Sequence, residues 1–217
     1  MSTGQGFEGY NMYAYCGNNP VNLCDCNGAM PRWLKRIPKA RRIRILIKIN
    51  KTISTYRMLN SIGFTNETYK SAEECNNVLN KYDIDTPEEK AHFFAQCAYE
   101  SNYGLWLTEL GDKTYFSNKD YGYKYRGAGY IQLTWDYNYR DFSIAMDDDE
   151  IYNQGADYVA KNYAWRAAGW FWSMNDINNR IENGISVMDV TEIVKGSSST
   201  WEIRQNYYNN FLAYFNH

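Results

Sequence analysis

The spacing of apolar residues predicts one kind of element in the first quarter of the chain and another kind in the rest. Residues 42–49 alternate isoleucine mostly with arginine or lysine, the period of two that predicts a strand with one charged face. Further along, apolar residues recur at helical spacing. Thr86 precedes a proline and two glutamates, which is typical of a helix start. Another helix is expected over residues 69–79, capped by Thr65 or Asn66.

The helix that starts after Thr86 carries a candidate catalytic group. Its phenylalanines, cysteine and alanines form the stripe expected to pack into a core, whereas Gln96 and Glu100 lie four residues apart on a neighbouring stripe. Asn102 and Gly104 are expected to end the helix. Glu100 then falls in the last turn, where the negative end of the helix dipole disfavours an ionised carboxylate. A carboxyl group that keeps its proton is what a general acid needs.

A second carboxylate, Glu109, follows nine residues later. In a continuous helix the two glutamates would lie about 13 Å apart along the axis, but a break at Gly104 permits the chain to fold back. Two carboxyl groups separated by roughly 6.5–9.5 Å can bracket a glycosidic bond with room for a water molecule. The alternative, two surface glutamates, stays open because the chain has 25 acidic residues.

A third segment, residues 125–135, combines turn-forming glycines with polar groups. Gly127 and Gly129, spaced by one residue, allow tight backbone turns. Gln132, Thr134 and the nearby Asn138 place amide and hydroxyl groups beside aromatic rings. Such a combination suits the recognition of acetamido sugars.

Together these segments resemble glycoside hydrolase family 19, the chitinases and related phage endolysins. The resemblance covers about residues 58–215 and includes the family's Tyr-x-Gly-Arg-Gly-x-Ile-Gln-Leu-Ser/Thr signature. The matching segments, in the family's order, are residues 94–101, Glu109, 125–134, 138–139, 167–172 and 189–196, with Arg204 and Tyr207 behind them. This likeness implies a mainly α (α+β), two-lobed, lysozyme-like fold with a central cleft and a small β-rich loop region.

The same resemblance implies a role for each site residue. Glu100 would be the general acid, Glu109 the general base, and Thr134 the residue that holds the attacking water. Gln132 and Asn138 would bind the acetamido and hydroxyl groups of the sugar. Four aromatic residues are further expected to bind substrate: Tyr99, Tyr125, Tyr130 and Trp135.

No cofactor or metal is expected. The chain has only two histidines, His92 and His217, and neither lies in a ligand-spaced motif. His92 is expected to be an ordinary core or surface histidine.

Three positions depart from the family pattern. Tyr99 stands where a histidine usually precedes the acid, Ala128 replaces the arginine between the glycines, and Lys195 replaces an asparagine that contacts sugar. None of these removes a proposed catalytic group. The expectation is therefore an active enzyme with a narrowed or altered substrate range.

The charges divide the chain into three pieces. Residues 1–30 carry a net charge of −2, residues 31–51 carry +9 with no acid, and residues 52–217 carry −9. Two interpretations of the basic piece stay open. It could attract a polyanion such as an anionic wall polymer, or it could be a solvated linker, which the absence of interleaved aromatic residues favours.

The first residues resemble the end of an Rhs-repeat-associated core. The shared pattern, Tyr-x-Tyr-x-x-Asn-Asn-Pro-x-Asn followed by Asp and Gly, runs from Tyr13 to Gly28, with Cys26 where proline is usual. In that family a variable effector, commonly a toxin, follows the core. We therefore expect a core tail over residues 1–28, a basic linker or arm over 29–51 and a hydrolase domain over 52–217, with an immunity protein as a partner.

The predicted function is an inverting endo-glycosidase that cleaves β-1,4 bonds in N-acetylglucosamine polymers, with peptidoglycan favoured over chitin. The chain has no apolar run long enough to span a membrane and no signal-peptide pattern at its start, so delivery as part of a larger protein, to act outside the cell or in a target cell's wall, is expected. A chitinase with a nutritional or defensive role and a non-catalytic glycan-binding module are the alternatives. Nucleic acid is not an expected partner, because a nuclease would need a histidine or metal-binding carboxylate cluster.

Overall fold

The computed structural model describes residues 36–216, and the Rhs-like segment and the start of the basic piece lie outside that range. Eleven helices lie in the described part of the chain. They are α1 (Lys39–Ser61), α2 (Tyr69–Lys81), α3 (Pro87–Ser101), α4 (Lys113–Phe116), α5 (Asp136–Met146), α6 (Glu150–Gln154), α7 (Ala156–Asn162), α8 (Ala164–Met174), α9 (Ile177–Glu182), α10 (Val187–Lys195) and α11 (Trp201–Phe215). Within residues 36–216 the β structure is limited to two isolated bridges, which join Ala128 to Thr108 and to Leu133. The prediction of a mainly α-helical fold is confirmed.

The basic segment is a helix, so the predicted strand over residues 42–49 is wrong. Helix α1 runs without interruption through residue 52, the predicted start of the hydrolase domain. Ile49 and Ile53, four residues apart, are buried on one side of α1, whereas Ile43 and Ile47 are 46% and 52% exposed. Alternating isoleucines are compatible with both periods, and packing of the Ile49 side against the rest of the molecule selects the helix.

Helix α3 lies at the centre of the molecule and begins as the sequence predicts. The Thr86 hydroxyl accepts a hydrogen bond from the Glu89 backbone N–H, and the Glu89 carboxylate accepts one from the Thr86 N–H, which forms a complete capping box. Asn102, in the left-handed conformation with φ 48°, ends the helix. The N-cap of α2 is Thr68, not Thr65 or Asn66.

Buried aromatic rings form the core around α3, which packs mainly against α11. Phe93 meets Trp172 edge to face, with ring centroids 5.2 Å apart, and Phe94 meets Trp165 in the same way at 6.0 Å. Each of these side chains is fully buried. Full burial of one such ring stabilises the fold by about 1.5–3 kcal/mol, so α3 and the Glu100 that it carries are held firmly.

A buried polar cluster joins the segment around residue 130 to this core. The Tyr130 hydroxyl donates to Oε1 of Glu67 at 2.5 Å, the Ser71 hydroxyl donates to Oε2, and the Trp165 indole N–H donates to Ser71 Oγ at 3.0 Å. The Tyr130 ring also stacks on Trp165, with centroids 3.5 Å apart. Burial raises the pKa of Glu67 above its ordinary value. The cluster therefore anchors the loop that carries Gln132 and Thr134.

No helix among residues 36–216 combines the length and the apolar content that crossing a lipid bilayer requires.

Candidate active site

A cleft of about 410 Å³ brings four of the predicted site residues together: Glu100, Glu109, Gln132 and Thr134. The Trp106 side chain at its edge is 44% exposed. The full lining consists of Glu100, Trp106, Thr108, Glu109, Leu110, Ile131, Gln132, Thr134, Val194 and Lys195. Two carboxylates, an amide, hydroxyls and an exposed indole ring thus face one cavity.

Arg204 holds Glu100 at its place in the cleft wall. The Arg204 guanidinium, completely buried on α11, donates to Oε1 of Glu100 and to Oε1 of Gln96. One guanidinium therefore binds both polar side chains of the α3 stripe identified in the sequence. Arg204 and Glu100 thus form an ion pair between α11 and α3.

Glu109 accepts two hydrogen bonds from the segment that contains Tyr121 and Gly127. The Tyr121 hydroxyl donates to Oε1 at 2.9 Å, and the Gly127 backbone N–H donates to Oε2 at 3.1 Å. The Glu109 N–H in turn donates to the Gly127 carbonyl at 2.8 Å. A Cβ atom at Gly127 would lie 2.6 Å from Oε1 of Gln132 and 3.3 Å from Cβ of Glu109, so a larger residue would displace the Gln132 amide group.

Gln132 and Thr134 lie on the tight turn that closes this side of the cleft. Gln132 has a φ of 54°, in the left-handed region, and its side-chain amide donates to the carbonyls of Trp106 at 3.1 Å and Gly129 at 3.0 Å. The Thr134 hydroxyl donates to the Gln132 carbonyl at 2.8 Å. Its oxygen keeps the capacity to accept a hydrogen bond from a water molecule.

The other five predicted binding residues do not line this cleft. Asn138 donates to the Thr134 carbonyl at 2.8 Å and so supports the turn from behind. The Tyr125 ring stacks on Tyr152, and Trp135, 38% exposed, lies beside Tyr121. Tyr99 lies under Arg204, with the guanidinium carbon 4.3 Å from the ring centroid.

The prediction that Tyr130 binds substrate is corrected by its burial. Only 4% of Tyr130 is exposed, and its hydroxyl already donates to Glu67. A ring stacked on Trp165 in the core is not available to a glycan in the cleft. Tyr130 instead positions the turn that follows it.

Two residues that hold the carboxylates were not assigned roles from the sequence. Arg204 is 104 positions from Glu100, and no local pattern pairs them. Tyr121 lies 12 positions after Glu109, beyond the range of any helical or strand repeat. Arg204 was identified in the sequence only as part of the family resemblance, without a role or a partner, and Tyr121 was not singled out.

Ala128 fills the position between the glycines without reaching the cleft. It is fully buried and pairs with Leu133 through two backbone hydrogen bonds. The neighbouring Arg126 is also buried, and its guanidinium donates to the Tyr123 carbonyl and to Asp157. Arg126 therefore does not supply a charge to the cleft in place of the missing arginine.

His92 is a core histidine, as expected from the sequence. It is 4% exposed, packs against Tyr208, and has an Nδ1 atom with no hydrogen-bond partner in residues 36–216. Burial lowers its pKa to about 4. In the same range no group of three or more histidine, cysteine, aspartate or glutamate side chains is arranged to hold a metal ion.

Comparison with known proteins identifies the fold. No protein-family model matches the chain. Endochitinase B of Zea mays is 27% identical over 121 residues, which cover 52% of this chain and 42% of the maize protein. The chain thus spans about half the length of the curated relatives that it matches.

Solved structures of chitinases share the architecture. Chitinase C from Streptomyces griseus HUT6037 superimposes with a TM-score of 0.60 at 20% identity, covering 77% of this chain and 94% of that one. The family 19, class IV chitinase from Zea mays superimposes with a TM-score of 0.57 at 19% identity, covering 73% and 90%. The chain therefore has the lysozyme-like fold of the family 19 chitinases and is similar in sequence to plant endochitinases, which supports a glycoside hydrolase catalytic domain.

Proposed function

We propose that this chain is an inverting endo-glycosidase that hydrolyses β-1,4 bonds in polymers containing N-acetylglucosamine. The observation that carries the proposal is the cleft in which Glu100 and Glu109, each held by its own set of donors, face one cavity with Gln132 and Thr134. Because helix α1 is continuous across residue 52, the proposed hydrolase domain begins at or before α1 and not at residue 52.

In the proposed mechanism the two glutamates act in one displacement. Protonated Glu100 gives its proton to the glycosidic oxygen as the bond to the anomeric carbon breaks. Ionised Glu109 takes a proton from a water molecule that attacks the same carbon from the opposite face. Arg204 binds only Oε1 of Glu100, which leaves the other oxygen for the substrate.

The polar groups of the turn orient water and sugar. Thr134, whose hydroxyl hydrogen is directed at the Gln132 carbonyl, offers its oxygen to the attacking water. Because the Gln132 amide N–H groups bind the carbonyls of Trp106 and Gly129, its amide oxygen is the atom that accepts hydrogen bonds from the acetamido and hydroxyl groups of the sugar. Asn138 supports the turn through the Thr134 carbonyl. The exposed ring of Trp106 offers an apolar face on which a pyranose can lie.

Peptidoglycan is the proposed substrate, with chitin as the second candidate. The names of the relatives, endochitinase and chitinase, favour chitin. Peptidoglycan is favoured by the Rhs-like residues 13–28, since the effectors that follow such cores are commonly toxins and a bacterial wall is a toxin's target. We accordingly propose a wall-degrading effector that reaches its target as part of a larger protein and is neutralised by an immunity protein.

The test is digestion of purified peptidoglycan and of chitin oligosaccharides, with products identified by mass spectrometry. The wild-type protein should release soluble fragments, and Glu100→Gln and Glu109→Gln should each lower the rate by about 10²–10⁴-fold. Glu182→Gln, an exposed glutamate on α9, is the matched control and should retain the wild-type rate. Full activity of either cleft variant would contradict the acid and base assignments, and binding of glycan without any release of product would favour the glycan-binding module.

A further inference from the structure

The charge on Lys195 is the one feature of the cleft that the proposed acid and base chemistry does not use. Lys195 ends helix α10 and is exposed. Among the described residues that line the cleft, it is the only one with a basic side chain. The other charged lining residues are Glu100, which is paired with Arg204, and Glu109.

Lys195 is a lining residue of the cleft, and its ammonium group binds a serine of the loop that follows α10. Its Nζ donates to Ser199 Oγ at 2.7 Å, and Ser199 lies 3.2 Å from Ser197 Oγ. Gly196, with a φ of 77°, turns the chain directly after the helix and so fixes the position from which the lysine extends. A lysine ammonium has three N–H donors, and the bond to Ser199 uses one of them.

The charge matters because the carboxylate of Glu109, the proposed base, opposes the binding of an anionic glycan. Glu109 accepts hydrogen bonds from Tyr121 and Gly127 but has no cationic partner among the described residues, so its negative charge repels an acidic substituent that enters the cavity. Lys195 offsets that repulsion at the same cavity. A neutral polymer of N-acetylglucosamine can accept hydrogen bonds from the ammonium group but has no charge to pair with it, so it gains less than an acidic glycan.

We infer that Lys195 is a specificity-determining residue that selects glycans bearing an acidic substituent over neutral ones. The ligand is a carboxylate attached to the glycan, either the lactyl ether of a muramic acid residue or the acidic side chains of its peptide. This inference rests on the proposed hydrolysis of N-acetylglucosamine polymers and identifies an acidic substituent as the substrate group that the cleft recognises.

The experiment compares three forms of peptidoglycan strand that differ in their acidic groups with a neutral glycan that lacks muramic acid. They are peptide-free peptidoglycan strands with free lactyl carboxylates, the same strands with those carboxylates amidated, strands that retain their peptides, and neutral chitin oligosaccharides. For each ligand, kcat/KM is measured with the wild-type protein, and the dissociation constant is measured with Glu100→Gln. The variants are Lys195→Gln, Lys195→Arg and the control Lys161→Gln, an exposed lysine on α7.

The wild-type protein should prefer the free carboxylate to its amidated form. Lys195→Gln should lower that preference by roughly three- to tenfold, and Lys195→Arg and Lys161→Gln should keep it. The preference should also shrink as salt rises, because the attraction is between partly exposed charges. A preference confined to the peptide-bearing strands would assign the acidic group to the peptide.

The inference would be overturned if Lys195→Gln preferred the free carboxylate over its amidated form as strongly as the wild-type protein does. It would also be overturned if Lys195→Gln lowered kcat/KM equally on charged and amidated strands. Its failure is distinct from failure of the proposed function. If the wild-type protein cleaves none of the four ligands, the proposed hydrolysis is wrong, and the dissociation constants then decide separately whether Lys195 selects charge.

Discussion

At the scale of single residues, the site depends on how each carboxylate is held. Arg204, which also donates to Gln96, donates to Glu100, while the Tyr121 hydroxyl and the Gly127 N–H donate to Glu109. Fixed donors of this kind hold the proposed acid and base in place and avoid reorganisation during the reaction. The two sets of donors come from opposite sides of the cleft, so each carboxylate can be perturbed separately.

Replacement of Tyr121 by phenylalanine tests the support of Glu109. Burial, followed by the hydrogen bond to Glu109, raises the pKa of Tyr121, so its hydroxyl keeps the proton that it donates. Loss of one hydrogen bond to a charged group should lower kcat by about 10- to 150-fold with a smaller change in KM. Steady-state kinetics on a soluble oligosaccharide measures both. Tyr214→Phe, which changes an exposed tyrosine on α11, is the control. An unchanged kcat for Tyr121→Phe would show that the Tyr121 hydroxyl does not support Glu109 in catalysis.

His92 predicts how stability depends on pH. Its pKa is about 4 in the folded protein because of burial, below the ordinary value of 6.5. The unfolded chain therefore binds a proton first as the pH falls, so stability is fully present above pH 6.5 and is lost between pH 6.5 and 4, by up to about 3 kcal/mol. Denaturant unfolding at a series of pH values should show a smaller loss for His92→Leu than for the wild-type protein. Parallel curves for the two proteins would show that His92 is not the titrating group.

At the scale of elements, the sequence predicts those helices whose ends carry their own signals. Helix α3 has a capping box at Thr86 and a left-handed stop at Asn102, both readable from local residues. Helix α1 lacks a side-chain cap, and its alternating isoleucines fit a strand equally well until the packing of Ile49 decides between them. Local sequence signals are therefore sufficient to predict a helix whose ends are set by capping residues. They are insufficient where packing against distant residues decides between helix and strand.

The basic face of α1 allows a sharper test of wall binding than deletion. Deleting residues 31–51 would remove Ile49, which is 3% exposed, and would disturb the core. Arg44→Gln with Lys51→Gln changes only exposed positions of the helix. If α1 attracts an anionic wall polymer, this double variant should sediment less with purified wall material and show a weaker dependence on salt, with unchanged hydrolysis of soluble oligosaccharides. Equal sedimentation at every salt concentration would favour the solvated-linker interpretation.

At the scale of the whole molecule, the cleft is assembled from segments that are far apart in the chain. The ends of α3, α10 and the turn around Gly127 meet there, and Arg204 reaches Glu100 from α11. The sequence resemblance predicts the shared fold and four of the residues that line the cleft. It could not predict that Tyr130 is buried against Trp165, because that contact depends on how separate helices pack.

The position of the two glutamates on one cleft leads to a claim about stereochemistry. A single displacement, with Glu100 as the acid and Glu109 as the base, inverts the configuration at the anomeric carbon. The most direct measurement is proton NMR of the first products formed from a β-1,4-linked N-acetylglucosamine oligosaccharide, before mutarotation equilibrates them. A single displacement predicts that the new reducing ends appear first as the α-anomer and convert to the equilibrium mixture afterwards. Initial appearance of the β-anomer would contradict the single displacement, because retention requires a covalent or substrate-assisted intermediate.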